Sequence, residues 1–93
     1  MSEVVATWSK DPDAVLDYIL DWSRWLALDE EITGLTVVAD PGITVDSSSF
    51  TTAITTVWLS GGTDGSNYRI TYRITTDQGR ADDRTIVIRA RNR

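Results

Sequence analysis

The clearest structural signal in the chain is the stretch Asn67-Tyr68-Arg69-Ile70-Thr71-Tyr72-Arg73-Ile74-Thr75-Thr76. Every second residue from Tyr68 to Ile74 is apolar, and the residues between them are Arg or Thr. This period of two is that of a β-strand with one buried and one solvated face. A second apolar run at residues 55–60 precedes it, and a third at residues 85–91 follows the turn at residues 77–80. We therefore predict an antiparallel β-meander between Ile54 and Arg91.

The rest of the chain extends this meander to about seven short strands. We expect strands at residues 16–22, 32–39 and 43–45, and a run that opens at Phe50 or Thr51 and reaches Trp58. Asp40-Pro41-Gly42 is a turn, since Pro fixes one φ angle and Gly permits a positive one. We expect every strand pair to be antiparallel. This spacing is typical of an immunoglobulin-like β-sandwich.

Residues 11–27 leave a helix open as an alternative. Asp11 followed by Pro12 is typical of a helix start, and several apolar residues after them match helical spacing. The same apolar residues, from Leu16 to Trp22, also alternate with their neighbours as in a strand. We favour a turn at residues 11–13 and a strand at residues 16–22, because every other signal in the chain is β.

The composition limits the functions that the protein can have. The 93 residues fit one domain, 1–93, in which we expect residues 1–15 to be extended or arm-like. The chain has no Cys, which excludes a disulfide, and no His, which removes the usual general base and zinc ligand. No apolar run approaches the ~20 residues of a membrane helix. We expect no enzymatic activity, no metal, no cofactor, no membrane contact and synthesis in a cytosol.

Charge divides the sequence into two unlike halves. Residues 1–46 carry ten acids against two basic residues, a net charge of −8, and residues 47–93 carry four acids against seven Arg, a net charge of +3. One interpretation is internal: an acidic sheet edge lies beside a basic one in the same domain. The other is that copies pack head to tail, the acidic surface of one against the basic surface of the next. The chain is acidic overall, so we expect protein partners and not nucleic acid for the Arg residues.

Four Trp residues are many for 93 positions. We expect Trp22 to fill the core. Either Val57 and Leu59 point inward and Trp58 outward, or the reverse; we favour the first, which leaves Trp58 or Trp25 partly exposed. Exposed Trp and Arg are typical of the residues that dominate protein interfaces.

Two groups of motifs resemble a known family. The first is Lys10-Asp11-Pro12-Asp13, then Leu16-Asp17-Tyr18, then Asp21-Trp22-Ser23-Arg24-Trp25-Leu26; the second includes Thr56-Val57-Trp58-Leu59-Ser60-Gly61-Gly62-Thr63 and Asp83-Arg84-Thr85-Ile86. Together they are similar to small tailed-bacteriophage virion proteins of fibre–tail adaptor or neck type, over residues 8–93. Leu20 departs from that pattern without affecting the fold.

The resemblance implies a non-enzymatic structural protein of the virion, made in the bacterial host cytoplasm. It would occur in many copies in a ring, joining neck, tail or fibre subunits. Residues 1–26 are the candidate reaching segment, and the Arg face is the candidate receiving surface. A capsid decoration protein is an alternative, as is a carbohydrate- or receptor-binding module built on Trp58 and Tyr72. The candidate interface residues are Asp11, Asp13, Asp17, Asp21, Trp22, Trp25, Trp58, Arg69, Arg73, Arg89 and Arg91.

Overall fold

The computed structural model of the protein describes residues 3–92, which form seven β-strands. The strands are β1 (Glu3–Lys10), β2 (Leu16–Asp21), β3 (Ile32–Ala39), β4 (Ile43–Phe50), β5 (Ile54–Gly61), β6 (Asn67–Thr76) and β7 (Ala81–Ala90). They form a four-stranded sheet in the order β1-β7-β6-β3 and a three-stranded sheet in the order β2-β5-β4. The predicted all-β sandwich without a disulfide is confirmed.

The strand order is that of the immunoglobulin fold. In that fold the second, fifth and fourth strands lie side by side in one sheet, and the third, sixth and seventh lie side by side in the other. The same neighbours occur here in β2-β5-β4 and β3-β6-β7. The first strand, β1, is added to the larger sheet beside β7.

The expectation that all pairs are antiparallel was wrong at β1. This strand runs parallel to β7, with Thr7 opposite Val87 and Trp8 opposite Ile88. Parallel neighbours need a long crossover connection, and here the crossover is nearly the whole domain. Of the expected arm over residues 1–15, Met1 and Ser2 lie outside the described residues, and Glu3–Lys10 is extended and paired within its own chain.

Other boundaries differ in smaller ways. Leu16–Asp21 is a strand and not a helix, as favoured. β4 continues to Phe50 where a loop was expected after Val45, because a β-bulge between Val45 and Ser47 lets the serine run resume its pairing with β5. β7 begins at Ala81, four residues earlier than expected, since Arg73 to Thr75 of β6 pair with residues 81–83.

The inner faces of both sheets form one core. From β6, Ile70, Tyr72 and Ile74 are fully buried, as are Val57 and Leu59 of β5. Two buried aromatic side chains also donate hydrogen bonds to distant parts of the chain. The Trp22 indole N–H donates to Thr55 Oγ1 at 2.9 Å, and the Tyr72 hydroxyl donates to the backbone oxygen of Tyr18 at 3.0 Å. Trp22 and Tyr72 are therefore hydrogen-bonded as well as packed.

A buried lysine closes one end of the sandwich. The side chain of Lys10 has no exposed surface, and its ammonium donates to the backbone oxygens of Asp11 and Gly61, each at 2.8 Å. Burial lowers the pKa of Lys10, and the nearby carboxylates of Asp11, Asp13 and Asp46 act in the opposite sense. Lys10 thus fixes the end of β1 to the end of β5, a role that the sequence did not indicate.

We predict that Trp22→Ala lowers the free energy of unfolding by about 3–5 kcal/mol, because it empties a buried site and leaves Thr55 without its donor. Urea unfolding measures this loss. Trp58→Ala is the matched control: Trp58 is 40% exposed, and its removal should cost under about 1 kcal/mol. Equal losses for the two variants would contradict the assignment of Trp22 to the core.

Candidate functional site

The outer face of the three-stranded sheet is acidic and carries an exposed tryptophan. Residues that alternate with buried Tyr18 and Leu20 on β2 are Asp17, Ile19 and Asp21, and all three are exposed. We call this surface, with Trp58 of the central strand β5, the acidic face. Asp46 on β4 adjoins it, since its carboxylate accepts a hydrogen bond from the Ser60 hydroxyl at 3.0 Å. The face therefore combines carboxylates with apolar surface.

Trp58 lies in the middle of this face. It stands opposite Asp17 on one neighbouring strand and Ser47 on the other. Its chain neighbours Val57 and Leu59 are fully buried, so Trp58 points outward, as favoured from the sequence. Ile19, 51% exposed, lies diagonally beside it on β2. An exposed indole with Asp17 and Ser47 beside it is suited to bind an apolar group that has a basic residue next to it.

The outer face of the four-stranded sheet is basic. Arg69 and Arg73 on β6, and Arg89 on β7, alternate with buried residues and are exposed. Arg91 follows β7, and its guanidinium donates to Asn67 Oδ1 at 3.3 Å, beside Arg89 in the register. We call these four residues the basic face. Arg73 forms an ion pair with Asp83 at 2.8 Å, which leaves the other three to carry the net charge of the face.

Of the predicted interface residues, Asp17 and Asp21 thus lie on the opposite outer surface of the sandwich from the Arg residues. Two ion pairs occur in residues 3–92, Arg73–Asp83 and Arg80–Glu30, and neither joins the acidic face to the basic face. At the rim of the basic face, the Asp40 carboxylate accepts a hydrogen bond from the backbone N–H of Arg69 at 2.8 Å. The acidic face and the basic face are therefore separated by the thickness of the core.

Asp11 and Asp13 belong to neither face. They lie in the turn between β1 and β2, where the Asp11 carboxylate accepts a hydrogen bond from the backbone N–H of Asp13 at 2.9 Å. The backbone N–H of Ala14 donates to the backbone oxygen of Asp11 at 3.0 Å and closes the turn. This turn places two more acidic residues at the side of the sandwich where β1 and β2 are the edge strands.

Trp22 and Trp25 stabilise a loop and are not both surface anchors. Trp22 is fully buried, so its assignment to the interface was wrong. Trp25 is half-buried and packs edge-on against Trp22, with ring centroids 6.1 Å apart. The guanidinium of Arg80 lies 4.1 Å from the Trp25 ring, and that of Arg84 lies 4.2 Å from the Trp22 ring. Each of the two tryptophans therefore has an Arg guanidinium against its ring, at the end of the sandwich. We call Trp22, Trp25, Arg80 and Arg84 the Trp–Arg cluster.

Glu30 completes this cluster. Its buried carboxylate pairs with Arg80 and accepts hydrogen bonds from the Thr76 hydroxyl at 2.7 Å and the Ala27 N–H at 2.9 Å. The hydrogen bonds from Arg80 are the main cause that lowers the pKa of Glu30 to about 2. The sequence showed Glu30 only as one of three adjacent acids, since its partner Arg80 is fifty residues away.

The aromatic platform considered for carbohydrate binding does not form. Tyr72 is fully buried on the inner side of the other sheet, and Trp58 points away from it. No three His, Cys, Asp or Glu side chains between residues 3 and 92 come together so as to hold a metal ion. The same residues include no helix that could cross a membrane.

Comparison with known protein families identifies a match over most of the chain. Residues 10–89 match the family described as podophage GP4 fiber-tail adaptor protein gp77. The match begins at buried Lys10 and ends at Arg89, so it includes the acidic face, the Trp–Arg cluster and all of the basic face except Arg91. No curated protein matches the chain.

We predict that stability falls in acid through Glu30. Its pKa is lowered from 4.5 to about 2 in the folded state, so the stabilisation is present above pH 4.5 and is lost as the pH falls towards 2. Thermal unfolding midpoints between these two pH values measure the loss. Glu30→Gln should lower stability at neutral pH and make the unfolding midpoint less dependent on pH. Glu31→Gln, at an exposed neighbouring position, should show the same unfolding midpoints as the unmodified chain. An unchanged acid profile in Glu30→Gln would contradict the assignment.

Proposed function

The chain belongs to the podophage GP4 fiber-tail adaptor protein gp77 family, and on this premise we propose that it is a non-enzymatic adaptor of the neck or tail that links fibres or neighbouring rings. The observation that carries the proposal is the separation of an acidic face and a basic face onto opposite sides of a rigid sandwich. A protein with two unlike faces can hold two neighbours, either copies of itself or other subunits, at a fixed spacing, which is what an adaptor must do.

The two faces also favour assembly of many copies. A surface that complements a different surface of the same chain makes head-to-tail contacts, and such contacts close into rings when the rotation between copies permits. The acidic face of one copy facing the basic face of the next gives complementary potentials, which favour the correct partner and suppress like-charge contacts. We therefore propose a multi-copy ring in the virion, built after synthesis in the host cytoplasm.

Charge alone does not hold such a contact. An exposed ion pair contributes roughly 0.2–1 kcal/mol, and the candidate pairs are few. The larger contribution must come from apolar surface that the contact removes from water. Trp58 and Ile19 are the exposed apolar residues at the centre of the acidic face, and we propose that they are its anchors.

A protein partner accounts for the basic face better than nucleic acid does. Arg73 is already paired with Asp83, and Asp40 lies beside Arg69. A phosphate backbone would meet these carboxylates as well as the Arg residues, whereas a protein surface can place its own charges to match each. We accordingly propose neck, tail or fibre subunits as the partners.

Removal of the gene from the phage tests the adaptor function. We expect heads and the remaining tail parts to form without attached fibres, and purified protein added back to restore fibre attachment and infectivity. Electron microscopy of the particles counts the fibres. Particles that keep their normal fibres without this chain would overturn the proposal.

The same add-back assay tests the anchor. Trp58→Ala should fold normally and restore fibre attachment poorly, with binding weakened by about thirtyfold, as for loss of a central interface residue. Leu28→Ala is the matched control, because Leu28 is 92% exposed on a loop outside both faces.

We also predict that complementary charge reversals rescue one another. A variant with Arg69→Glu and Arg89→Glu should self-associate at least about tenfold more weakly than the unmodified chain, because its carboxylates then meet the acidic face of the next copy. Mixing it with a second variant, Asp17→Arg and Asp21→Arg, should restore assemblies larger than a dimer, because these require the two altered faces to bind each other as well as the two unaltered ones. Sedimentation measures association, which should also weaken as salt shortens the screening length from about 10 Å to about 3 Å. Failure of rescue, with both variants folded, would count against face-to-face contact.

A further inference from the structure

The outer edge of β1 is an open strand edge. Within residues 3–92, β1 has one neighbouring strand, β7, and it ends the four-stranded sheet. A strand at a sheet edge presents backbone N–H and C=O groups that a further strand can pair. On the same side of the sandwich, β2 ends the three-stranded sheet. One lateral side of the molecule therefore consists of two edge strands.

The usual protections of a sheet edge are few on β1. From Val4 to Ser9 the strand has no charged residue and no proline. The charge at its end, Lys10, is turned into the core and held by backbone oxygens. A bulge between Val4 and Ala6 makes the first part irregular, and the pairing with β7 is regular from Ala6 to Lys10. This regular part can accept a partner strand.

An apolar groove lies between the two edge strands. The ring of Trp8 on β1 stacks on that of Tyr18 on β2, with centroids 5.4 Å apart. Together with Leu16 and Ile19 they line an open groove of about 520 Å³. Val4, Val5 and Trp8 are each 36–41% exposed along β1. A strand added to β1 would place alternate side chains over this groove, which gives such a contact both backbone pairing and apolar burial.

The charge around the groove identifies the occupant. Asp17 lines it, Asp11 and Asp13 lie in the turn beside it, and Glu3 begins β1. A second copy presenting the same side would bring acids against acids. The opposite edge strand, β3, is bordered by Glu31 and Asp40, so it would also bring acids. Like charges disfavour both arrangements, and a basic segment of another protein is left as the complementary occupant.

We propose that the β1 edge binds, by strand addition, an extended apolar segment that is flanked by Lys or Arg and belongs to another virion protein. The apolar residues of the segment cover the Trp8–Tyr18 groove, and its basic flanks face Asp11, Asp13 and Asp17. This inference rests on the proposed adaptor function, and it adds a binding surface that adjoins the acidic face and shares Asp17 and Ile19 with it.

Overlapping synthetic peptides that cover the other structural proteins of the same virion test the proposal. We expect the bound peptides to be apolar with Lys or Arg flanks, and to slow amide hydrogen exchange in residues 3–10 of the intact chain. Val5→Lys places a charge on the edge at a 41%-exposed position and should weaken binding at least about tenfold. Val38→Lys, at a 64%-exposed position on β3, is the matched control and should bind normally.

Replacement of the basic flanks of a bound peptide by Glu should weaken binding further, since these flanks meet the acidic rim. The proposal is overturned if no peptide binds, if the bound peptides protect a different strand, or if Val5→Lys and Val38→Lys bind alike. Those results would leave the adaptor function standing, because the add-back assay measures fibre attachment with the unmodified chain. Particles that keep their fibres without the chain, together with normal peptide binding, would overturn the adaptor function and leave the binding site on β1 standing.

Discussion

Burial of alternate side chains along β6 is the constraint on which the surface of the protein depends. Ile70, Tyr72 and Ile74 have no exposed surface, so the residues between them must face solvent. A shift of the register by one residue would bury Arg69 and Arg73 and expose the core, which makes slippage costly. The basic face is therefore as firmly specified as the core itself, and the register with β7 aligns Arg89 with it.

The other sheet is constrained in the same way, and the result is a sandwich with two chemically different outsides. Tyr18 and Leu20 point inward, which leaves Asp17, Ile19 and Asp21 outward. At the end of the sandwich, the stacked Trp and Arg side chains and the Glu30–Arg80 pair fix the loop that follows β2. Rigidity matters for an adaptor because interface groups that are already ordered lose less entropy on binding.

Alternation within a strand was predictable from the sequence, and contacts between distant segments were not. The period-two pattern predicted the inward and outward sides of β6, β2 and β5, and the family resemblance was confirmed by the match over residues 10–89. The parallel pairing of β1 with β7 has no local signal. Burial of Lys10 depends on the Gly61 oxygen, and that of Glu30 on Arg80, each about fifty residues away. Trp22 was correctly expected in the core, but a motif shared within a family does not show whether a tryptophan serves packing or binding.

The proposed adaptor function requires that the two unlike faces of one sandwich each contact a neighbour in the virion. A cryo-electron microscopy reconstruction of the intact virion, with this chain fitted at side-chain detail, tests it most directly. We expect the chain between the tail and the fibres in multiple copies, with Trp58 and Ile19 covered by one neighbour and Arg69 and Arg89 facing carboxylates of another. A reconstruction that leaves both faces in solvent, or that places the chain on the capsid shell, would contradict it.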